Sequence, residues 1–108
     1  MVEEKKQIRF KLKVSKKNFI QVVDKYFFGN MDKQLNHVQF FAYVGNRSGY
    51  LKFYDYYDDY YKAFISICAG EVVMSIEKYD FDHETWIDRK VYYPDIEYLD
   101  LLGMLVRY

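Results

Sequence analysis

Five tyrosines and three aspartates crowd into eight consecutive residues: Tyr54, Asp55, Tyr56, Tyr57, Asp58, Asp59, Tyr60 and Tyr61. A strand turns only alternate side chains to one face, so this run cannot bury all of its rings. Asp58 and Asp59 mark a turn between two strands, and several phenols are expected to stand exposed around a local negative charge. A phenol brings rigid contact area and a hydroxyl at small entropic cost, which suits it to recognition. The second oxygen-rich run is Asp80, Asp82 and Glu84, followed by Asp88. Its spacing imitates a calcium loop, but Thr85 stands where that loop needs glycine and Val91 where it needs a bidentate glutamate. The run reads as a solvated acidic loop, and no metal is expected.

Other chemistry is hard to build from this chain. His37 and His83 lie far apart in the sequence, and there is no nucleophile elbow, glycine-rich phosphate loop or His-Glu-x-x-His pair. The one cysteine, Cys68, can form no internal disulfide and is expected inside a strand as an inert small hydrophobe. These features point away from an enzyme and from a bound cofactor.

The formal net charge is zero, yet the two halves differ. Residues 1–52 hold eleven Lys or Arg against four Asp or Glu, and residues 53–108 hold five against twelve. Such a split either neutralises itself within the fold or presents two unlike surfaces to partners. The basic half concentrates its cations in Arg9, Lys11, Lys13, Lys16 and Lys17, a possible contact face. Basic residues beside exposed rings would suit nucleic acid. Against that, the pI is about 6.7 and the rings cluster with aspartates, which repel phosphate.

The elements that must position these residues can be read from periodicity. At 108 residues and 51% hydrophobic content, the chain is expected to form a single compact domain over 1–108. No apolar run approaches the ~18 residues of a membrane span, and the charged N-terminus lacks a signal core, so an intracellular, cytoplasmic protein is expected. Residues 8–14 alternate as a strand with Arg9, Lys11 and Lys13 outward. Ser15 is a candidate N-cap for a helix carrying Phe19, Val22, Val23, Tyr26 and Phe27 on one face, stopped by Gly29. Strands follow at His37–Val44, Tyr50–Tyr56, Tyr61–Cys68 and Val72–Tyr79, joined by turns too short for parallel crossovers. Residues 80–93 favour a strand by their Trp, Ile, Val and Tyr content, although Asp82 could cap a short helix. Past Pro94, the stripe of Ile96, Leu99, Leu102, Leu105 and Val106 predicts a helix ending near Arg107. The expected fold is α+β, β-α-β-β-β-β-(β)-α, with an antiparallel sheet of five or six strands and two helices on one face.

Together these readings predict a small protein-binding module. Its Tyr/Asp-rich surface, with the 80–88 loop, would sit on a basic site of another protein that otherwise takes phosphate or nucleic acid. Small inhibitors from phages and mobile elements, among them anti-CRISPR and anti-restriction proteins, use this strategy, as do toxin-neutralising immunity proteins. Two alternatives follow from the same residues: a homo-oligomer, such as a homodimer, joining unlike surfaces or sheet edges, and a nucleic-acid binder using the basic first strand.

Overall fold

Strict alternation in the middle of the chain decides the architecture. The computed structural model describes residues 10–29, 35–43, 45 and 47–107. In chain order its elements are β1 (Phe10–Leu12), α1 (Lys16–Tyr26), β2 (Asn36–Tyr43), β3 (Ser48–Tyr54), β4 (Tyr60–Cys68), β5 (Glu71–Asp80), β6 (Thr85–Tyr92), α2 (Ile96–Leu101) and β7 (Leu105–Arg107). Strands β2 to β6 form a five-stranded antiparallel meander in sequence order, and β1 pairs with β7 in a separate two-stranded sheet. The fold is α+β, as expected. Residues 80–92 contain a strand and no helix. No helix among the described residues is long and apolar enough to cross a membrane.

One face of the meander builds the core. Leu51 and Phe53 of β3, Ala63 and Ile65 of β4, and Val72, Met74 and Ile76 of β5 alternate inward and are almost wholly buried. Helix α1 lays Phe19, Val22 and Val23 onto this face, and Leu99 of α2 and Met104 join the same cluster. Each large apolar side chain buried this way contributes about 1.5–3 kcal/mol, which is what orients the sheet. Gly49 permits a close approach at the start of β3, since a Cβ there would meet the Phe41 carbonyl oxygen at 3.0 Å and the Phe40 ring at 3.1 Å. Gly49 pairs with Ala42 of β2 within the ladder.

Local chemistry sets the start of α1. The Ser15 hydroxyl accepts from the Asn18 amide at 3.2 Å, and the Asn18 side-chain oxygen accepts from the Ser15 amide at 2.8 Å. Asn18 also donates through Nδ2 to the Lys13 carbonyl at 3.0 Å, tying the cap to the end of the first strand. Because Asn18 is buried, Asn18→Ala is expected to destabilise the fold by about 1–2 kcal/mol in a denaturant titration. A midpoint indistinguishable from wild type would contradict this account of the cap.

Three expectations need correction. The C-terminal helix does not run to Arg107: it ends at Leu101, and Gly103 takes a left-handed backbone with φ 71°. The Met104 amide then donates to the Leu99 carbonyl and the Gly103 amide to that of Asp100, each at 3.0 Å, a Schellman stop with buried Leu99 and Met104 beneath it. Leu105 to Arg107 leave as a strand on β1, with Leu12 opposite Leu105. Consequently the described part of the first strand pairs with the chain's end and not with the meander; Ile8 and Arg9 lie outside the described residues. Finally, Cys68 is exposed. It closes β4 opposite Glu71, just before a turn in which Ala69 and Gly70 both have positive φ.

Candidate partner-binding surface

The antiparallel order brings two distant acidic segments to one end of the sheet. The β3–β4 and β5–β6 connections both leave from the row Tyr54, Tyr60, Tyr79 and Trp86, which are cross-strand neighbours. Tyr60 of β4 stacks toward Phe81 of the other connection with ring centroids 6.4 Å apart. Segments 54–61 and 80–84 therefore form one tip.

Within that tip the carboxylates divide into builders and presenters. Asp55 is a builder, only 6% exposed. Its Oδ1 accepts from the Tyr57 and Asp59 amides, each at 2.9 Å, and its Oδ2 accepts from the Tyr61 hydroxyl at 3.3 Å. Asp80 does the same for the second turn, accepting from the Asp82 amide at 3.0 Å and the His83 amide at 3.3 Å. Its other oxygen meets His83 Nδ1 at 2.8 Å. These contacts, the His83 ring first, hold the Asp80 carboxyl below its ordinary range. Asp80 therefore steadies its turn at neutral pH and loses that role only as pH falls through the depressed value. Asp59 pairs with Lys78 at 3.6 Å.

The presenters are Asp58, Asp82 and Glu84, all exposed. Beside them stand Tyr56, Tyr57 and Phe81, exposed by 77%, 71% and 57%. Asp58 and Glu84 adopt positive φ at 61° and 52°, so each turn reverses within a few residues and lifts its neighbours clear of the sheet. Tyr61 has left the surface set. It points to the core side, against Phe27 at 5.1 Å and stacked on Phe53 at 5.5 Å. Burial first, then the Asp55 and Asp59 charges and the bond to Asp55, push its phenol up to about 12. A folded value above the unfolded ~10 means that this contribution is complete below pH ~10 and fades as pH rises toward 12. A phenolate absorbance titration should therefore lose amplitude near pH 12 in Tyr61→Phe while Tyr60, Tyr92 and Tyr98, also raised by burial, still titrate late; an unchanged amplitude near pH 12 would refute the assignment.

The face of the sheet turned away from α1 carries a surface that was not anticipated. Tyr54 and Tyr60 stack at 4.6 Å, and Trp86 lies 5.0 Å from Tyr79 and 5.4 Å from Tyr60. Further along the same strands, Tyr50 sits 4.5 Å from Phe64 and 5.4 Å from Tyr43. Between the two ring groups, Lys52 and Lys62 face each other in register. The signal was present as aromatic-x-Lys-x-aromatic, in Tyr50, Lys52, Tyr54 and again in Tyr60, Lys62, Phe64.

Of the cations named from sequence, the described ones, Lys11, Lys13, Lys16 and Lys17, lie toward the other end. Lys11 and Arg47 line a depression with Ser48, Ser66 and Ile67, at the ends of β3 and β4 remote from the tip. Lys13, Lys16 and Lys17 are exposed, the last two in the first turn of α1, whose opposite end packs Phe28 on Phe53 near the tip. Arg9 is outside the described residues. Seven residues of β3 separate the ends by roughly 20 Å, more than twice the ~8 Å screening length of physiological salt. Among the described residues, the ion pairs of the tip are made with Lys78 and His83, both from the acidic half. Among the described residues, the acidic tip and the depression holding Lys11 and Arg47 thus lie at opposite ends of β3 and β4.

No group of three or more His, Cys, Asp or Glu side chains arranged to hold a metal ion occurs among the described residues. The chain matches no protein-family model, no curated protein and no solved structure. The reading of its role therefore rests on the surface alone.

Proposed function

We propose that the chain is a non-enzymatic, cytoplasmic protein-binding module whose acidic, tyrosine-rich tip docks on a basic surface of another protein. The observation that carries this reading is the juxtaposition of exposed Tyr56, Tyr57 and Phe81 with exposed Asp58, Asp82 and Glu84 on turns whose backbones Asp55 and Asp80 already brace. Such bracing lowers the ordering cost of association, and rings at the centre of an acidic field combine contact area with electrostatic steering. A surface of this kind competes well for a site that otherwise holds phosphate. Inhibition or neutralisation of a nucleic-acid-handling protein is accordingly the role we assign, in the manner of anti-CRISPR, anti-restriction and immunity proteins.

Protein is favoured over nucleic acid at the tip because the carboxylates presented beside its rings, Asp58, Asp82 and Glu84, repel phosphate. Affinity capture from host lysate with mass spectrometry should recover a protein of basic surface, and fluorescence anisotropy should show no oligonucleotide bound through the tip. Recovery of nucleic acid alone, released by substitutions at Asp82 and Glu84, would overturn the reading.

The separation of the two charged ends favours a second reading, head-to-tail self-association. Sedimentation velocity separates the cases: charge-driven oligomers disperse as salt rises, whereas a monomer keeps its coefficient.

A further inference from the structure

The centre of the open sheet face contains an arrangement that folding alone does not favour. Lys52 and Lys62 are direct cross-strand partners, and like charges placed opposite one another destabilise a sheet. Glu77 lies opposite Lys62 on β5, yet among the described residues neither lysine closes an ion pair. Each ammonium instead leans on rings: Lys52 is 5.8 Å from the Phe41 centroid, and Lys62 is 5.7 Å from that of Tyr50 and 4.6 Å from that of Trp86. Both lysines, with Phe41, Tyr43 and Tyr50, line one depression. Phe41 and Tyr43 on its rim are each 46% exposed.

We propose that this depression binds a nucleotide unit, with its phosphate between Lys52 and Lys62 and its base against the Phe41 and Tyr43 rings. Two facing cations, against the single Glu77 carboxylate opposite Lys62, suit the charge of about −1.5 to −2 on a phosphate monoester. The rings on the rim offer the apolar faces on which bases stack. The shape selects among phosphates that carry a ring. In a phosphorylated phenol the phosphate lies in line with the ring, so the ring would project out of a shallow depression. A nucleotide's sugar lets the base turn back beside its phosphate, which is where the exposed rings stand. A free mononucleotide meets both requirements; a residue of single-stranded nucleic acid offers the same base with a single charge on its diester phosphate. This inference goes beyond the tip's role and stands without it.

The test uses the full chain and reads Trp86 fluorescence and melting temperature with four probes: inorganic phosphate, AMP, a single-stranded oligothymidylate and phosphotyrosine. AMP is expected to bind at least about 10-fold tighter than inorganic phosphate, the difference representing the stacked base. Lys52→Gln with Lys62→Gln should abolish AMP binding, and Phe41→Ala with Tyr43→Ala should reduce it to the level of phosphate. The unliganded double lysine variant should melt close to or above the wild-type temperature, because the like-charge contact is removed, and that result separates loss of binding from loss of fold. Tighter binding of the oligomer assigns the site to single strands, and tighter binding of AMP assigns it to mononucleotides. AMP binding equally to wild type and the double lysine variant would overturn the proposal. So would phosphotyrosine binding more tightly than AMP, or no response to any probe at millimolar concentration. A variant altered at Asp82 and Glu84 should retain AMP binding, which separates this result from the fate of the tip.

Discussion

Replacing Phe53 by alanine is expected to remove about 3–5 kcal/mol of stability, the largest loss we anticipate from one substitution. Phe53 is fully buried at the point where helix, sheet and tip meet. Its ring is 6.0 Å from Phe28 at the end of α1 and stacks 5.5 Å from Tyr61 at the start of β4. The hole left by truncation is bounded by three elements that cannot all close over it. A loss of this size is a large fraction of the 5–15 kcal/mol that holds an ordinary domain together. Urea titration should show the midpoint falling sharply with little change in slope. Tyr56→Ala supplies the contrast: its ring is 77% exposed and should shift stability by no more than about 0.5 kcal/mol. Equal midpoints for the two variants would contradict the placement of the core.

Asp55→Ala is expected to cost about 2–3 kcal/mol, although the residue sits in a surface connection. One carboxylate serves two amides and the Tyr61 hydroxyl. Removing it leaves a half-buried phenol without its acceptor and the turn without its brace. The Asp55 amide also donates to the Asp59 carbonyl at 3.0 Å, so the turn closes on itself from both sides. Asp55→Asn keeps one acceptor oxygen and should fall between alanine and wild type. Asp58→Asn should leave stability within about 0.5 kcal/mol, because Asp58 is exposed and asparagine tolerates its positive φ. Partner affinity should fall in both Asp55→Ala and Asp58→Asn, through disorder of the tip in one and loss of charge in the other. Thermal melting of the three variants checks the ranking, and an Asp58→Asn protein as unstable as Asp55→Ala would contradict it.

Much of the fold was legible because its signals are local. The strands read at Tyr50–Tyr56 and Tyr61–Cys68 fall within two residues of β3 and β4, and Ser15 marked the start of α1. Strand β7 escaped because its partner β1 is over ninety residues away and its apolar pair continued the helical stripe of α2. The stop at Gly103 was visible in the sequence, yet a hydrophobic stripe alone cannot show where a helix unwinds. The tip was legible in composition and only partly in role. Nothing in a run of aspartates states which carboxylate will turn inward, and Asp55 and Asp80 did so by capturing the amide two residues on. The open face was overlooked because rings in strands were counted as sheet formers. The repeated aromatic-lysine alternation on one parity of β3 and β4 is what distinguishes a displayed surface from a packed one.

The tip's role can be tested by measuring the affinity and association rate of the captured partner for a triple variant, Asp58→Asn with Asp82→Lys and Glu84→Lys. The account predicts about 100-fold weaker binding, mostly through slower association, with the unfolding midpoint close to wild type. Lys16→Gln with Lys17→Gln, at the far end, should bind as wild type does. Undiminished affinity in the triple variant, or a loss confined to the lysine variant, would contradict the claim that the acidic tip makes the contact.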